Sequence, residues 1–178
     1  MAEAALNQAG LDREQIDCLA IGLGPGSYTG IRIAIALAQG WQLARGVKLL
    51  GISSAESVAT QAQTDGLTGR VCVVIDAQRD EFCVAGYDIK AGDCHEVFPL
   101  QLTTMVEMRE REKAGETLIG PEVTRWFPAG RVVSPRAATL GRLATTRGDF
   151  VAGEKLEPIY LREARFVKAP PQRIVPAK

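Results

Sequence analysis

Chemistry would first be sought in residues 22–29, GLGPGSYT, where three glycines, a proline and three hydroxyl residues stand ahead of an apolar run. A phosphate loop of the form GxxxxGK[ST] needs a lysine to reach the outer phosphates and a hydroxyl to reach the metal. No lysine occurs before Lys48. A dinucleotide fingerprint begun at Gly22 and Gly24 would place Ser27 where its third glycine belongs, and Pro25 removes a backbone donor from the middle of the loop. A nucleophile elbow around Ser27 would require glycine at position 25, which is Pro25. The only histidine is His95, far along the chain, so a triad would have to be assembled around that one residue.

One histidine also leaves zinc motifs such as HExxH unmet, and no metal is expected. The carboxylate pairs Asp80 with Glu81 and Glu110 with Glu112 fall on polar links or a charged helix face, where solvated surface is the expectation. For Gly24, Gly26 and Ser27 two readings stand. In the first they form a turn: the glycines permit backbone angles closed to other residues, Pro25 stiffens the chain, and Ser27 or Thr29 caps the helix that follows. In the second the same helix start holds an anion. The turn is the favoured reading.

The element behind the turn is a helix predicted from about Thr29 to Arg45 and stopped by Gly46. Its large apolar residues, Ile31, Ile33, Ile35, Leu37, Trp41 and Leu43, spread around most of the cylinder instead of forming one stripe. Such a helix is covered on two sides, by its own core alone or by that core and a second protein. Small residues form two rows, Gly30, Ala34, Ala38 and Ala36, Gly40, Ala44, with Ile33, Leu37 and Trp41 between them. Ridges beside shallow grooves favour close packing of another helix. Leaving three such side chains in water would forgo roughly 1.5 to 3 kcal/mol each, so a protein interface is favoured, with Thr29, Gly30, Ile33, Ala34, Leu37, Ala38 and Trp41 as its residues.

Around this helix the chain reads as mixed α/β in two lobes, 1–66 and 67–178. AEAALNQAG is a helix closed by Gly10, CLAIG and VKLLGI are short strands, and Ser53 or Ser54 caps a helix through ESVATQAQ. RVCVVIDA, EFCVAGYDI and CHEVFPLQ predict an antiparallel meander. A helix over TTMVEMREREKAG, short strands at ETLIGPE and RVV, and a helix over PRAATLGRLATTRG with Pro135 near its start follow. The proline-rich tail FVKAPPQRIVPAK is expected to be extended.

Composition narrows the function classes. Lys plus Arg and Asp plus Glu number 21 each, so nothing suggests a protein that grips a nucleic-acid backbone by itself. The four cysteines, Cys18, Cys72, Cys83 and Cys94, lack CxxC spacing and read as buried, reduced thiols. The longest uncharged apolar run, IAIALAQGWQLA, falls short of the roughly 20 residues a membrane span needs. MAEAALNQAG has no signal-peptide pattern. A cytoplasmic protein with no membrane association is expected.

GPGSYTGIRIAIALAQGWQLA, VKLLGISSAESVA, VVIDAQRDEFCVAGY and PIYLREA together resemble the TsaB (YeaZ) family, relatives of the TsaD/Kae1 proteins, over Leu6 to Ala164. The resemblance implies the actin-like, sugar-kinase and Hsp70-like ATPase fold in two lobes. It implies a non-catalytic subunit without a cofactor, which pairs with TsaD, the enzyme that transfers threonylcarbamoyl to adenosine 37 of tRNA. TsaE is implied as a further partner, tRNA contact is indirect, and a homodimer forms when the protein is alone. The interface segments carried over are Ala2 to Ala9 and Thr29 to Ala44. The histidine pair that binds metal in TsaD-like proteins has no counterpart here.

Family members place a hairpin and a third strand of the form ILAIDTS ahead of the first helix, whereas this sequence starts within that helix. A first lobe shortened at its N-terminus is therefore expected, with unpaired sheet edges and no nucleotide in the usual cleft. The alternatives are a glycoprotease-like hydrolase using Ser27 or His95, and a truncated homodimeric protein without remaining activity.

Overall fold

The computed structural model describes residues 2–162 of the chain, so the proline-rich tail lies outside the described residues. Helix α1 (Ala2–Ala9) ends at Gly10, whose φ of 65° is the left-handed geometry that glycine tolerates best. A short 3-10 turn leads into β1 (Cys18–Gly22), which pairs in parallel with β2 (Lys48–Ile52). Parallel neighbours need a crossover, and α2 (Tyr28–Arg45) supplies it. The inner side of α2, through Ile35 and Ala38, packs with Ile21, Val47 and Leu49. The chain returns here near its end: Leu156 joins this cluster and Val151 bridges to Leu49.

Helix α3 (Ser54–Thr64), capped by Ser53, leads into the larger sheet. Strands β3 (Gly69–Asp76), β4 (Glu81–Lys90) and β5 (Asp93–Thr104) form the antiparallel meander that the sequence predicts. After α4 (Met105–Lys113), strands β6 (Thr117–Gly120) and β7 (Arg131–Val132) add in parallel on the other side, for an order β5-β4-β3-β6-β7. Strand β3 is apolar at consecutive positions because both of its faces are covered. Val71, Val73 and Ile75 pack with Ala55, Val58, Ala59 and Ala62 of α3, whereas Cys72 and Val74 meet Met108 and Phe127. Helix α5 (Ala137–Thr145) starts two residues after Pro135 and joins α3 through a Thr139 hydroxyl donated to the Gln61 side chain. No helix among the described residues is long and apolar enough to cross a membrane.

The four cysteines are unpaired. Burial pushes the Cys72 thiol up to about 12 and the Cys83 and Cys94 thiols up to about 11. The folded chain therefore holds thiol protons that the unfolded chain gives up near the ordinary value of 9.0. Their contribution to stability is complete below pH 9 and is lost as pH rises through the folded values. The urea midpoint is expected to fall steadily between pH 9 and 11, and Cys72→Ala should flatten that slope. An unchanged midpoint over that range would contradict the burial of these thiols.

A candidate partner-binding face

The loop between β1 and α2 closes on itself. Leu23 donates its N–H to the Ile52 carbonyl at 2.9 Å, and Ser54 donates to the Gly24 carbonyl at 2.7 Å. Gly24 has φ 96°, and a Cβ there would lie 2.8 Å from Ile31 Cδ1. Ser27 is the N-cap, accepting from the Gly30 N–H at 3.4 Å. Gly46, with φ 69°, ends the helix. The Gly24–Ser27 stretch thus turns the chain, closes on β2 and starts α2.

From that start α2 presents an apolar face to solvent. Ile33 is 65% exposed, Leu37 48% and Leu43 89%, with Ala36, Gly40 and Ala44 exposed among them. Thr29 and Gly30 lie at the exposed N-terminal end of the same face. The two small rows face different ways. Ala38 is fully buried in the core of the small sheet, and Ala34 and Trp41 are half-buried against it. This corrects the expectation that Ala38 meets a partner: its small side chain lets α2 lie close on its own sheet. The row Ala36, Gly40, Ala44 is the one left open.

Tyr28 and Tyr160 extend the open face at the N-terminal end of α2, 56% and 55% exposed, with ring centroids 5.5 Å apart. Arg32 donates to the Tyr28 hydroxyl at 2.9 Å. Helix α1 stands nearby in sequence with Leu6 half-buried and the described side chains from Glu3 to Ala5 and from Asn7 to Ala9 exposed. Its following turn is tied to the end of α2 by the Glu14–Arg45 ion pair at 2.7 Å.

Two features that hold this face in place are not evident from the sequence. Gln39 donates to the Gly153 carbonyl at 2.8 Å, and the Gln42 side-chain oxygen accepts from the Gly153 N–H at 2.6 Å. Both glutamines look like simple breaks in an apolar helix, yet they clamp it to the returning chain. PIYLR and IDAQRDE, separate in sequence, also meet. Ile159 donates to the Leu23 carbonyl at 2.9 Å, while Arg162 donates to the Ala77 carbonyl at 3.2 Å and to the Glu81 carboxylate. The β3–β4 turn that receives Arg162 has three successive left-handed residues, Gln78, Arg79 and Asp80. The strap from Ile159 to Arg162 thereby joins the loop ahead of α2 to the larger sheet.

The hydrolytic candidates are engaged elsewhere. Ser27 Oγ caps α2, and His95 lies on β5 with Nδ1 3.2 Å from the Asp93 carboxylate. No hydrogen bond joins the two among the described residues. Glu110 pairs with Lys113 and Glu112 with Arg109 on the outside of α4. No three His, Cys, Asp or Glu side chains gather as metal ligands would among the described residues.

Known proteins share both the sequence and this architecture. Residues 1–137 match the family described as TsaD, tRNA N6-adenosine threonylcarbamoyltransferase. The tRNA threonylcarbamoyladenosine biosynthesis protein TsaB of Escherichia coli is 31% identical over 179 residues, covering 91% of this chain and 78% of that protein. YeaZ from Pseudomonas aeruginosa superposes with a TM-score of 0.75 at 26% identity, covering 90% of this chain and 82% of that one. A second Pseudomonas aeruginosa structure, described as similar to the peptidase YeaZ, gives 0.76 at 28% identity over 91% and 81% of the two chains.

Proposed function

This chain belongs to the TsaB (YeaZ) family, with its actin-like, sugar-kinase and Hsp70-like ATPase fold, and from that premise we propose that it is a non-catalytic subunit that binds and positions TsaD in tRNA threonylcarbamoyladenosine biosynthesis. The observation that carries this reading is the exposed apolar face of α2. Covering Ile33, Leu37 and Leu43 would stabilise a complex by roughly 1.5 to 3 kcal/mol each before the cost of association. Tyr28 at one end supplies the kind of large, amphipathic side chain that anchors interfaces.

In this reading residues 1–66 carry most of the partner surface, with Tyr160 at its edge, and the described residues from 67 to 162 brace it. Thr29, Gly30, Ile33 and Leu37 make the contact together with the open row of small residues. Ala34 and Trp41 act from beneath, by setting how α2 lies. The balanced charge, 21 basic against 21 acidic residues, agrees with tRNA being held by the partner and not by this chain. TsaE joins as a further protein, and the chain pairs with itself through the same face when TsaD is absent.

The test is direct: the chain is mixed with TsaD of its own organism and the mass of the complex is read by size-exclusion chromatography with light scattering. A one-to-one heterodimer at micromolar concentration is expected, formed at the expense of any homodimer. Two proteins that elute separately would sink the proposal.

A further inference from the structure

Residues 159–162, the last part of PIYLR, form neither helix nor strand, yet successive residues of this strap are held on different sides. Ile159 is tied by its N–H to the Leu23 carbonyl at 2.9 Å, and Leu161 packs against the core of the larger sheet. Tyr160 stands between them and points outward, with its ring centroid 5.5 Å from that of Tyr28. Arg162 closes the strap: its guanidinium donates to the Ala77 carbonyl at 3.2 Å, to the Gln78 carbonyl at 3.4 Å and to the Glu81 carboxylate.

The β3–β4 turn is a firm point of attachment. Gln78, Arg79 and Asp80 have φ of 63°, 60° and 58°, and left-handed residues of this kind persist only where their surroundings over-determine them. The Asp76 carboxylate accepts the Gln78 N–H at 2.7 Å, and the Asp80 carbonyl accepts the Met105 N–H at 3.0 Å. Arg162 therefore grips a turn already fixed by the end of β3 and the start of α4. At the other end of the strap, Leu23 is itself bonded to the Ile52 carbonyl of β2 at 2.9 Å. Tyr160 is thus held between two fixed points, and an exposed ring so placed gives up less freedom when a partner covers it.

We propose that Arg162 is a positioning residue for the partner surface. By fixing the strap to the β3–β4 turn it holds Tyr160 against Tyr28 before a partner arrives, so that the second half of the chain completes the aromatic anchor at the N-terminal end of α2. This role rests on the reading of the α2 face as the TsaD surface. It gives PIYLR and IDAQRDE, which meet far from the helix, a shared part in binding.

The full chain labelled with 3-fluorotyrosine at its three tyrosines reads the surroundings of each ring by fluorine NMR. In Arg162→Ala the Tyr28 and Tyr160 resonances are expected to move towards that of free fluorotyrosine, while Tyr87, 5% exposed in the core, stays in place and reports an intact fold. In calorimetric titration against TsaD, Arg162→Ala should bind about tenfold more weakly, the scale of one large side chain left to be ordered on binding. Tyr160→Ala should lose at least as much, and the double variant no more than Tyr160→Ala alone, because Arg162 acts through that ring. Arg162→Lys, which keeps a charge beside Glu81 without the reach of the guanidinium fork, should fall between the parent and Arg162→Ala in both measurements, and it decides the matter if Arg162→Ala disturbs Tyr87. Unmoved Tyr28 and Tyr160 resonances would overturn the proposal whether or not TsaD binds, and so would additive losses in the double variant. A parent chain that does not bind TsaD while its rings still respond to Arg162 would sink the partner reading, and the role given to Arg162 with it.

Discussion

Ala36→Arg is expected to abolish the proposed complex with TsaD while leaving the chain folded, and Ala38→Arg, two residues further on, is expected to unfold the small sheet instead. Ala36 lies on the open row of α2 beside Ile33, Leu37 and Gly40, with room for a long side chain in water. In the free protein the arginine is therefore harmless. In the complex it must be buried against the partner without a countercharge, and the close approach allowed by Ala36, Gly40 and Ala44 is lost. Affinity should fall by about 100-fold or more, the loss typical of a disrupted interface centre. Ala38 is fully buried against Ile21, Val47 and Leu49, so the same substitution there places a charge in the core. Circular dichroism and thermal melting of both variants, with a calorimetric titration of Ala36→Arg against TsaD, separate the outcomes. Full binding by a folded Ala36→Arg chain would move the interface off this face. A stable Ala38→Arg chain would mean that α2 does not pack as described.

The contrast between Ala36 and Ala38 also marks where the sequence stops being legible. Local signals place α2 well: Ser27 caps it, Gly46 ends it, and its predicted limits differ from Tyr28–Arg45 by one residue. The caps at Gly10 and Ser53 and the three-strand meander are legible for the same reason, since turn chemistry and β-branched runs act over a few residues. Which row of small residues faces inward is not local. Both rows have the same spacing, and only packing on β1 and β2 distinguishes them. The parallel placement of β6 beside β3 is likewise hidden, because short apolar runs carry no sign of their partner. PIYLR and IDAQRDE are recognisable as separate motifs, but their meeting through Arg162 depends on a returning chain whose contacts are 81 or more residues apart in sequence.

Gly120→Ala is expected to be among the most destabilising single-methyl additions in the chain. Gly120 ends β6, where the strand runs close beside β3, and a Cβ built there would collide with the Val74 carbonyl oxygen and lie 3.2 Å from the Val74 carbonyl carbon. Backbone obstructs this methyl, so no side-chain rotation relieves it. Either β6 moves off β3, breaking a ladder that includes Val73 opposite Ile119, or the end of the strand distorts and loses its pairing with β7. Both routes disturb the core in which Ile119 and Leu118 are buried on opposite faces. A cost of roughly 3 to 5 kcal/mol follows, in the range reserved for strain and core disruption. For a chain of this size that lowers the melting temperature by roughly 10 °C. Gly86 provides the control. A Cβ there would meet the ring of Phe98, a half-buried side chain at a β-bulge that has somewhere to turn. Gly86→Ala should therefore cost about 1 to 3 kcal/mol, the ordinary range for overpacking. Equal losses in the two variants, read from urea unfolding, would mean that β6 and β3 do not approach as closely as the Gly120 geometry requires.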